Sequence, residues 1–160
     1  KHEVEHLVTA SAIGVYPSSI TNLYNENHSD LSEDFLGEVV KKWEASADRF
    51  SELKLSVTKL RIGIVLSENG GALEKMAKPI KNYIGAPLGD GQQWQSWIHI
   101  DDLARMFSFI IDEEVAGPYY AVPPNPINNK EITEAIRSPL TSSSLRSTKR
   151  NRQRCSFFAS

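Results

Sequence analysis

Residues 89–107, GDGQQWQSWIHIDDLARMF, constrain the fold more tightly than any other stretch of the chain. Gly89, Asp90 and Gly91 favour a tight turn, because glycine reaches backbone angles closed to other residues. The alternation over residues 94–100 suits a strand with one buried face. Asp101 or Asp102 can then accept hydrogen bonds from the first free N–H groups of a helix, along which Leu103, Met106, Phe107, Ile110 and Ile111 recur at helical spacing. A strand that delivers a loop to one place, followed by a helix that carries the chain back over the sheet, is the unit from which α/β proteins are built.

The flanking sequence repeats the unit. Residues 9–16, TASAIGVY, read as a buried strand running into a loop marked by Gly14 and Pro17. A polar loop over residues 17–32 leads to a helix with Ser32 as a cap, Glu33 and Asp34 at its positive end, and an apolar stripe of Phe35, Leu36, Val39, Val40, Trp43 and Ala47. Residues 54–66, KLSVTKLRIGIVL, become almost continuously apolar, as a strand buried on both faces of a parallel sheet does. A SENGG turn precedes a helical pattern at Leu73, Met76, Ala77, Ile80 and Ile84, which Pro79 should kink or divide. A strand is expected over residues 119–122. Asn128 and Glu131 then have capping-box spacing before a last helix, with Ile127 and Ile132 as its hydrophobic staple.

Charge is unevenly distributed. The net charge of -2 by itself points to neither an acidic nor a basic partner. All 20 acidic residues precede Ser138, which leaves residues 1–137 at -7 and the remainder at +5. Residues 138–160 are Ser-rich and basic without periodicity, the composition of a disordered tail. Such a tail can be merely solvated or can bind nucleic acid or membrane; the bland alternative is the expectation, so neither partner is assigned. No apolar run reaches membrane-spanning length, the N-terminus does not read as a signal peptide, and the one cysteine, Cys155, excludes an internal disulfide. A cytoplasmic protein is expected. Four scattered histidines and one cysteine show no metal-site spacing.

The arrangement Gly-Asp-Gly-x-Gln, a polar pair, an aromatic and then Ile-His-Ile-Asp-Asp-Leu-Ala strongly resembles the extended short-chain dehydrogenase/reductase family, the NAD(P)-dependent epimerases and dehydratases, in its atypical sugar-epimerase-like branch. The resemblance covers roughly residues 5–137. It implies an α/β fold: the distal half of a Rossmann-like parallel sheet with part of a small substrate-side lobe. Residues 1–137 would be a partial NAD(P)-binding epimerase-like domain, and the chain leaves the family pattern at about Arg137, as a frameshifted or truncated reading frame would. The first, Gly-rich βαβαβ half, which holds the pyrophosphate and reads NAD against NADP, would be missing. Binding of NADP or NAD is therefore expected of an intact parent and not of the 160 residues alone, which should be inactive.

Candidate site residues follow from the same resemblance. Ser11, at the end of the first strand, matches a hydroxyl that binds the substrate oxygen beside the nicotinamide; alternatively it satisfies a backbone group. The Tyr-x-x-x-Lys of the usual family is replaced, with Phe35 or Leu36 in place of the Tyr and Val39 or Val40 in place of the Lys, none of which transfers a proton. Tyr16 can substitute as proton donor, or can pack as an aromatic lid. Gly63, Ile64 and Val65 match the backbone that binds the nicotinamide carboxamide. Arg61 can reach a phosphate or carboxylate, or make a surface salt bridge. Gln95 stands where nucleotide-sugar members place a diphosphate-clamping Arg, and Trp94 and Trp97 suit either a flatter, less charged ligand or core packing. His99 reads as a structural, hydrogen-bonded His or as a base. The function implied is an NAD(P)-dependent oxidoreductase or isomerase acting on a small carbonyl or sugar-like substrate. The alternatives are a non-catalytic NADP(H)-binding or sensor protein, or a truncated inactive product.

Overall fold

The computed structural model describes residues 4–81 and 89–137. The expected tail at 138–160 and Ile84 of the second helical pattern lie outside the described residues. Among the described residues, four helices and eight short strands follow one another in the alternating order that the sequence implies. Strand β1 (His6–Ala12) runs through a 3₁₀ turn (Ile13–Val15) and a long loop to helix α1 (Phe35–Asp48). A second 3₁₀ turn (Arg49–Leu53) leads to β2 (Ser56–Ile62), then β3 (Ile64–Ser67), β4 (Gly70–Gly71) and α2 (Ala72–Lys81). Beyond the Gly89 turn come β5 (Trp94–Gln95), β6 (Trp97–His99), α3 (Ile100–Asp112), β7 (Gly117–Ala121), β8 (Ile127–Asn128) and α4 (Asn129–Arg137).

The main sheet is parallel, in the order β1-β2-β7. A second sheet has the order β4-β3-β6, and β5 pairs antiparallel with β8. The stretch expected as one strand over residues 54–66 is divided at Gly63, where the chain leaves the main sheet for the second. A Cβ at Gly63 would lie 2.5 Å from the Ser96 carbonyl oxygen, and the Ile64 N–H donates to that same oxygen at 2.7 Å. Only glycine permits this close backbone contact. The strand expected at 94–100 is likewise divided, at Ser96, between two sheets.

Alternation along β2 sends successive side chains to opposite faces. Leu60 packs with Ile98, Ala121 and the α3 residues Leu103 and Ile110, which form the main core. Lys59 and Arg61 reach the carboxylates of α1 on the other face. That arrangement corrects the expected α1 stripe. Its buried residues are Gly37, Val40, Glu44 and Ala47, whereas Phe35 and Leu36 are 79% and 63% exposed and Val39 and Trp43 are also exposed. A Cβ at Gly37 would lie 2.5 Å from the Ser32 carbonyl oxygen, so the helix approaches the preceding loop through its least bulky residue.

The helix caps are shifted from expectation by a residue or two. Asp34 caps α1 by accepting from the Gly37 N–H at 2.7 Å, and Ser32 instead accepts from the Asp34 N–H. His99 caps α3 through Nδ1, which accepts from the Asp101 N–H at 3.2 Å. The Asn128–Glu131 capping box forms in both directions, at 2.8 and 2.9 Å.

Candidate functional site

The parallel register places Ser11, Arg61 and Tyr120 side by side across β1, β2 and β7, on the face that α1 covers. Glu44, two turns beyond Gly37 on the inner face of α1, meets this row. Its Oε1 accepts from Ser11 Oγ at 2.5 Å and from Arg61 Nε at 2.9 Å, while its Oε2 accepts from Arg61 Nη2 at 2.8 Å. Arg61 Nη1 donates to the Tyr16 hydroxyl and, at 3.2 Å, to the Glu26 carbonyl. Burial pushes the Glu44 carboxyl up, but hydrogen bonds from Arg61 and Ser11 and the charges of Arg61 and Lys59 outweigh it and hold the carboxyl below its usual range. The Glu44 hydrogen bonds, against the cost of burial, hold Arg61 still more firmly protonated.

Tyr16 enters this row from the 3₁₀ turn after β1. Its ring stacks on Tyr24 at 5.4 Å and meets Tyr120 edge-on at 5.7 Å, and its hydroxyl donates toward the Asn25 carbonyl at 3.2 Å. The Tyr120 hydroxyl is buried without a well-formed hydrogen bond among the described residues. Burial first, and the neighbouring Tyr16 hydroxyl second, push it far above the usual phenol range, so it stays protonated.

An open groove of about 730 Å³ lies at the carboxyl ends of β1 and β7, the place where open α/β sheets take ligands. Its walls come from residues 13–24, from 93–96 and from 120–126. Tyr16 and Tyr120 belong both to the groove and to the charged row. The 17–31 loop is held in place by hydrogen bonds from distant residues: Trp94 Nε1 donates to the Ile20 carbonyl at 2.9 Å, and the Tyr120 N–H donates to Glu26 Oε1 at 3.2 Å. Among the described residues, none of the lining side chains is charged.

The sequence-derived candidates are distributed unevenly around this groove. Tyr16 lines it. Ser11 is 4% exposed, does not line it, and is joined to Tyr16 through Glu44 and Arg61. Gly63, Ile64 and Val65 do not line it either, although Gly63 lies directly behind Ser96 and Val122, which do. The N–H groups of Gly63 and Ile64 already donate to the Ala121 and Ser96 carbonyls, so these two donors are engaged within the fold. Arg61 makes a buried ion pair instead of a surface one. The Gly89–Gly91 turn docks on α4: the Lys130 N–H donates to the Gly91 carbonyl at 3.0 Å. Trp94 borders the groove, whereas the Trp97 indole N–H is buried without a partner among the described residues.

Sequence reasoning missed Glu44 and Tyr120. Glu44 sits among charged and small residues that look solvent-facing, and Tyr120 reads only as a strand residue; the register that joins them is set by tertiary pairing. Among the described residues no group of His, Cys, Asp or Glu could hold a metal ion, and no helix is long and apolar enough to cross a membrane. For a dinucleotide, the described residues provide an uncharged, partly aromatic surface suited to a nicotinamide ring and no cation facing it for a pyrophosphate.

No family model matches the chain. An epimerase family protein of Staphylococcus epidermidis is 44% identical over 127 residues, which are 79% of this chain and 42% of the relative. The chain therefore spans less than half the length of the curated relatives that it matches. Among solved structures, the nucleoside-diphosphate sugar epimerase of Corynebacterium glutamicum is 30% identical with a TM-score of 0.75, covering 90% of this chain and 34% of its own. A human epimerase family protein solved with NADPH is 32% identical with a TM-score of 0.70, covering 81% of this chain and 45% of its own.

Proposed function

Because the chain belongs, over the residues it shares with them, to the NAD(P)-dependent epimerase family of short-chain dehydrogenases/reductases, we infer that it forms the substrate side of an NAD(P)-dependent oxidoreductase or epimerase acting on a small carbonyl or sugar-like compound. The observation that carries this reading is Tyr16, a proton-bearing side chain on the wall of a groove at the carboxyl end of a parallel sheet, with a guanidinium bonded to its hydroxyl. The dinucleotide, when bound, supplies or accepts the hydride. Tyr16 Oη holds the proton for the substrate oxygen, and Arg61 stabilises the negative charge left on Oη when that proton departs. Glu44 fixes the plane of the guanidinium by its two-point contact, and Ser11 fixes Glu44, so Ser11 acts through its neighbours as a positioning residue.

The test is NADPH-coupled turnover of a carbonyl and sugar panel by these residues expressed in one chain with a Gly-rich dinucleotide-binding βαβ unit. Turnover should fall by about 100-fold in Tyr16→Phe; unchanged turnover in that variant would remove Tyr16 from the chemistry. The 160 residues alone contain no Gly-x-Gly-x-x-Gly, and by themselves should not bind NADPH in a fluorescence titration. A second reading, a dinucleotide-binding or sensor protein without catalysis, is favoured by Phe35 or Leu36 and Val39 or Val40 at the Tyr-x-x-x-Lys positions and by the Ser11 and Tyr16 hydroxyls being engaged inside the fold. Tight NADPH binding by the joined chain with no turnover on the whole panel would select it.

A further inference from the structure

We propose that the groove takes an uncharged, ring-bearing carbonyl compound and not a nucleotide diphosphate, an inference that rests on reading the groove as the substrate site. Its volume of about 730 Å³ suits a small organic molecule. The 18 described residues that line it include no Asp, Glu, Lys, Arg or His. Arg61, a cation behind the wall, is 7% exposed, and four of its five N–H donors are taken: Nε and one on Nη2 by Glu44, two on Nη1 by Tyr16 and the Glu26 carbonyl. Glu26 places a carboxylate on the backbone of Tyr120, at the wall itself. A diphosphate entering here would give up its hydration with no guanidinium or ammonium in exchange, and beside a negative charge.

What the groove offers is apolar surface with neutral hydrogen-bonding groups. Leu23 and Ile20 on one wall are 84% and 66% exposed, and Trp94, 45% exposed, faces them from another segment. A flat ring laid against Trp94 would remove these side chains from water. Ser96, Gln93 and Asn22 supply polar groups for a carbonyl without demanding charge. A similar solved protein is called a nucleoside-diphosphate sugar epimerase. The described groove of this chain lacks the cations that such a ligand requires.

The experiment is amide chemical-shift mapping of the 160-residue chain, without dinucleotide, titrated with 2-tetralone and separately with UDP-glucose. 2-Tetralone should bind at least about ten-fold more tightly, shift residues of the 13–24, 93–96 and 120–126 segments, and be insensitive to salt. Leu23→Ser, at an exposed loop tip, should weaken 2-tetralone about three-fold while leaving the spectrum of the folded sheet unchanged. Gln93→Arg should raise the affinity for UDP-glucose. UDP-glucose binding as tightly as 2-tetralone, 2-tetralone shifts mapping elsewhere, or no 2-tetralone binding would each overturn the proposal. 2-Tetralone bound in the groove without hydride transfer in the joined chain would overturn the catalytic reading alone; turnover of UDP-glucose there would overturn this proposal and leave that reading standing.

Discussion

Helices α1 and α3 cover opposite faces of one parallel sheet in opposite ways. α3 presents Leu103 and Ile110 to Leu60, Ile98 and Ala121, so its inner face is apolar in the ordinary manner. α1 presents Glu44 to Arg61 and Asp48 to Lys59, and exposes Phe35, Val39 and Trp43. The difference lies in β2, whose alternation puts Thr58, Leu60 and Ile62 on one side and Lys59 and Arg61 on the other. A helix facing two cations is held by carboxylates, whatever its most apolar stripe. The same arrangement explains the groove: the Arg61 charge near the sheet's carboxyl end is neutralised beneath α1, and the described surface left for a ligand is uncharged.

Breaking the charged side should have the largest effect. Arg61→Met leaves Glu44 buried with only Ser11 and a Lys59 ammonium 3.8 Å away, and should cost about 3–5 kcal/mol in denaturant unfolding. A loss below about 1 kcal/mol would mean that the pair is as weak as an exposed one. Acid should act more gently on the same contact. Because the folded state lowers the Glu44 pKa, its contribution is fully present above the unfolded value of about 4.3 and is lost as pH falls through the lower folded value. Denaturation midpoints measured from about pH 6 to pH 3 should decline less in Glu44→Gln than in the parent protein. The smallest effect belongs to the outer stripe of α1. Trp43→Gln removes a large apolar side chain and should still change stability by no more than about 0.5 kcal/mol, since the residue is 45% exposed. A loss of about 2 kcal/mol would show that α1 is held by its apolar side after all.

Much of this fold was legible because local patterns carry it. The order of strands and helices, the apolar face of α3 apart from the exposed Ile111, and the Asn128–Glu131 capping box follow from periodicity and spacing within a few residues. The family resemblance in residues 89–107 and the partial Rossmann-like sheet agree with the relatives and the solved structures. What spacing could not supply was which side of α1 faces inward, since hydrophobicity pointed to Phe35 and Trp43 while the partners of Glu44 lay 17 and 33 residues away. Nor could it place the breaks at Gly63 and Ser96, which come from one backbone passing 2.5 Å from where a Cβ would sit. Tyr16 was accessible to reasoning because it lies in the loop that follows a strand; its bond to Arg61 depends on the register of a strand 45 residues later.

Arg61, a cation just behind the groove wall, is committed to the fold and not offered to a ligand. A double-mutant cycle on Glu44→Gln and Arg61→Met, read by chemical denaturation, measures that commitment directly. The predicted coupling is about 2–3 kcal/mol, with the double variant more stable than Arg61→Met alone. A coupling near zero would show that Arg61 does not depend on Glu44, and would return a guanidinium to the ligand side of the site.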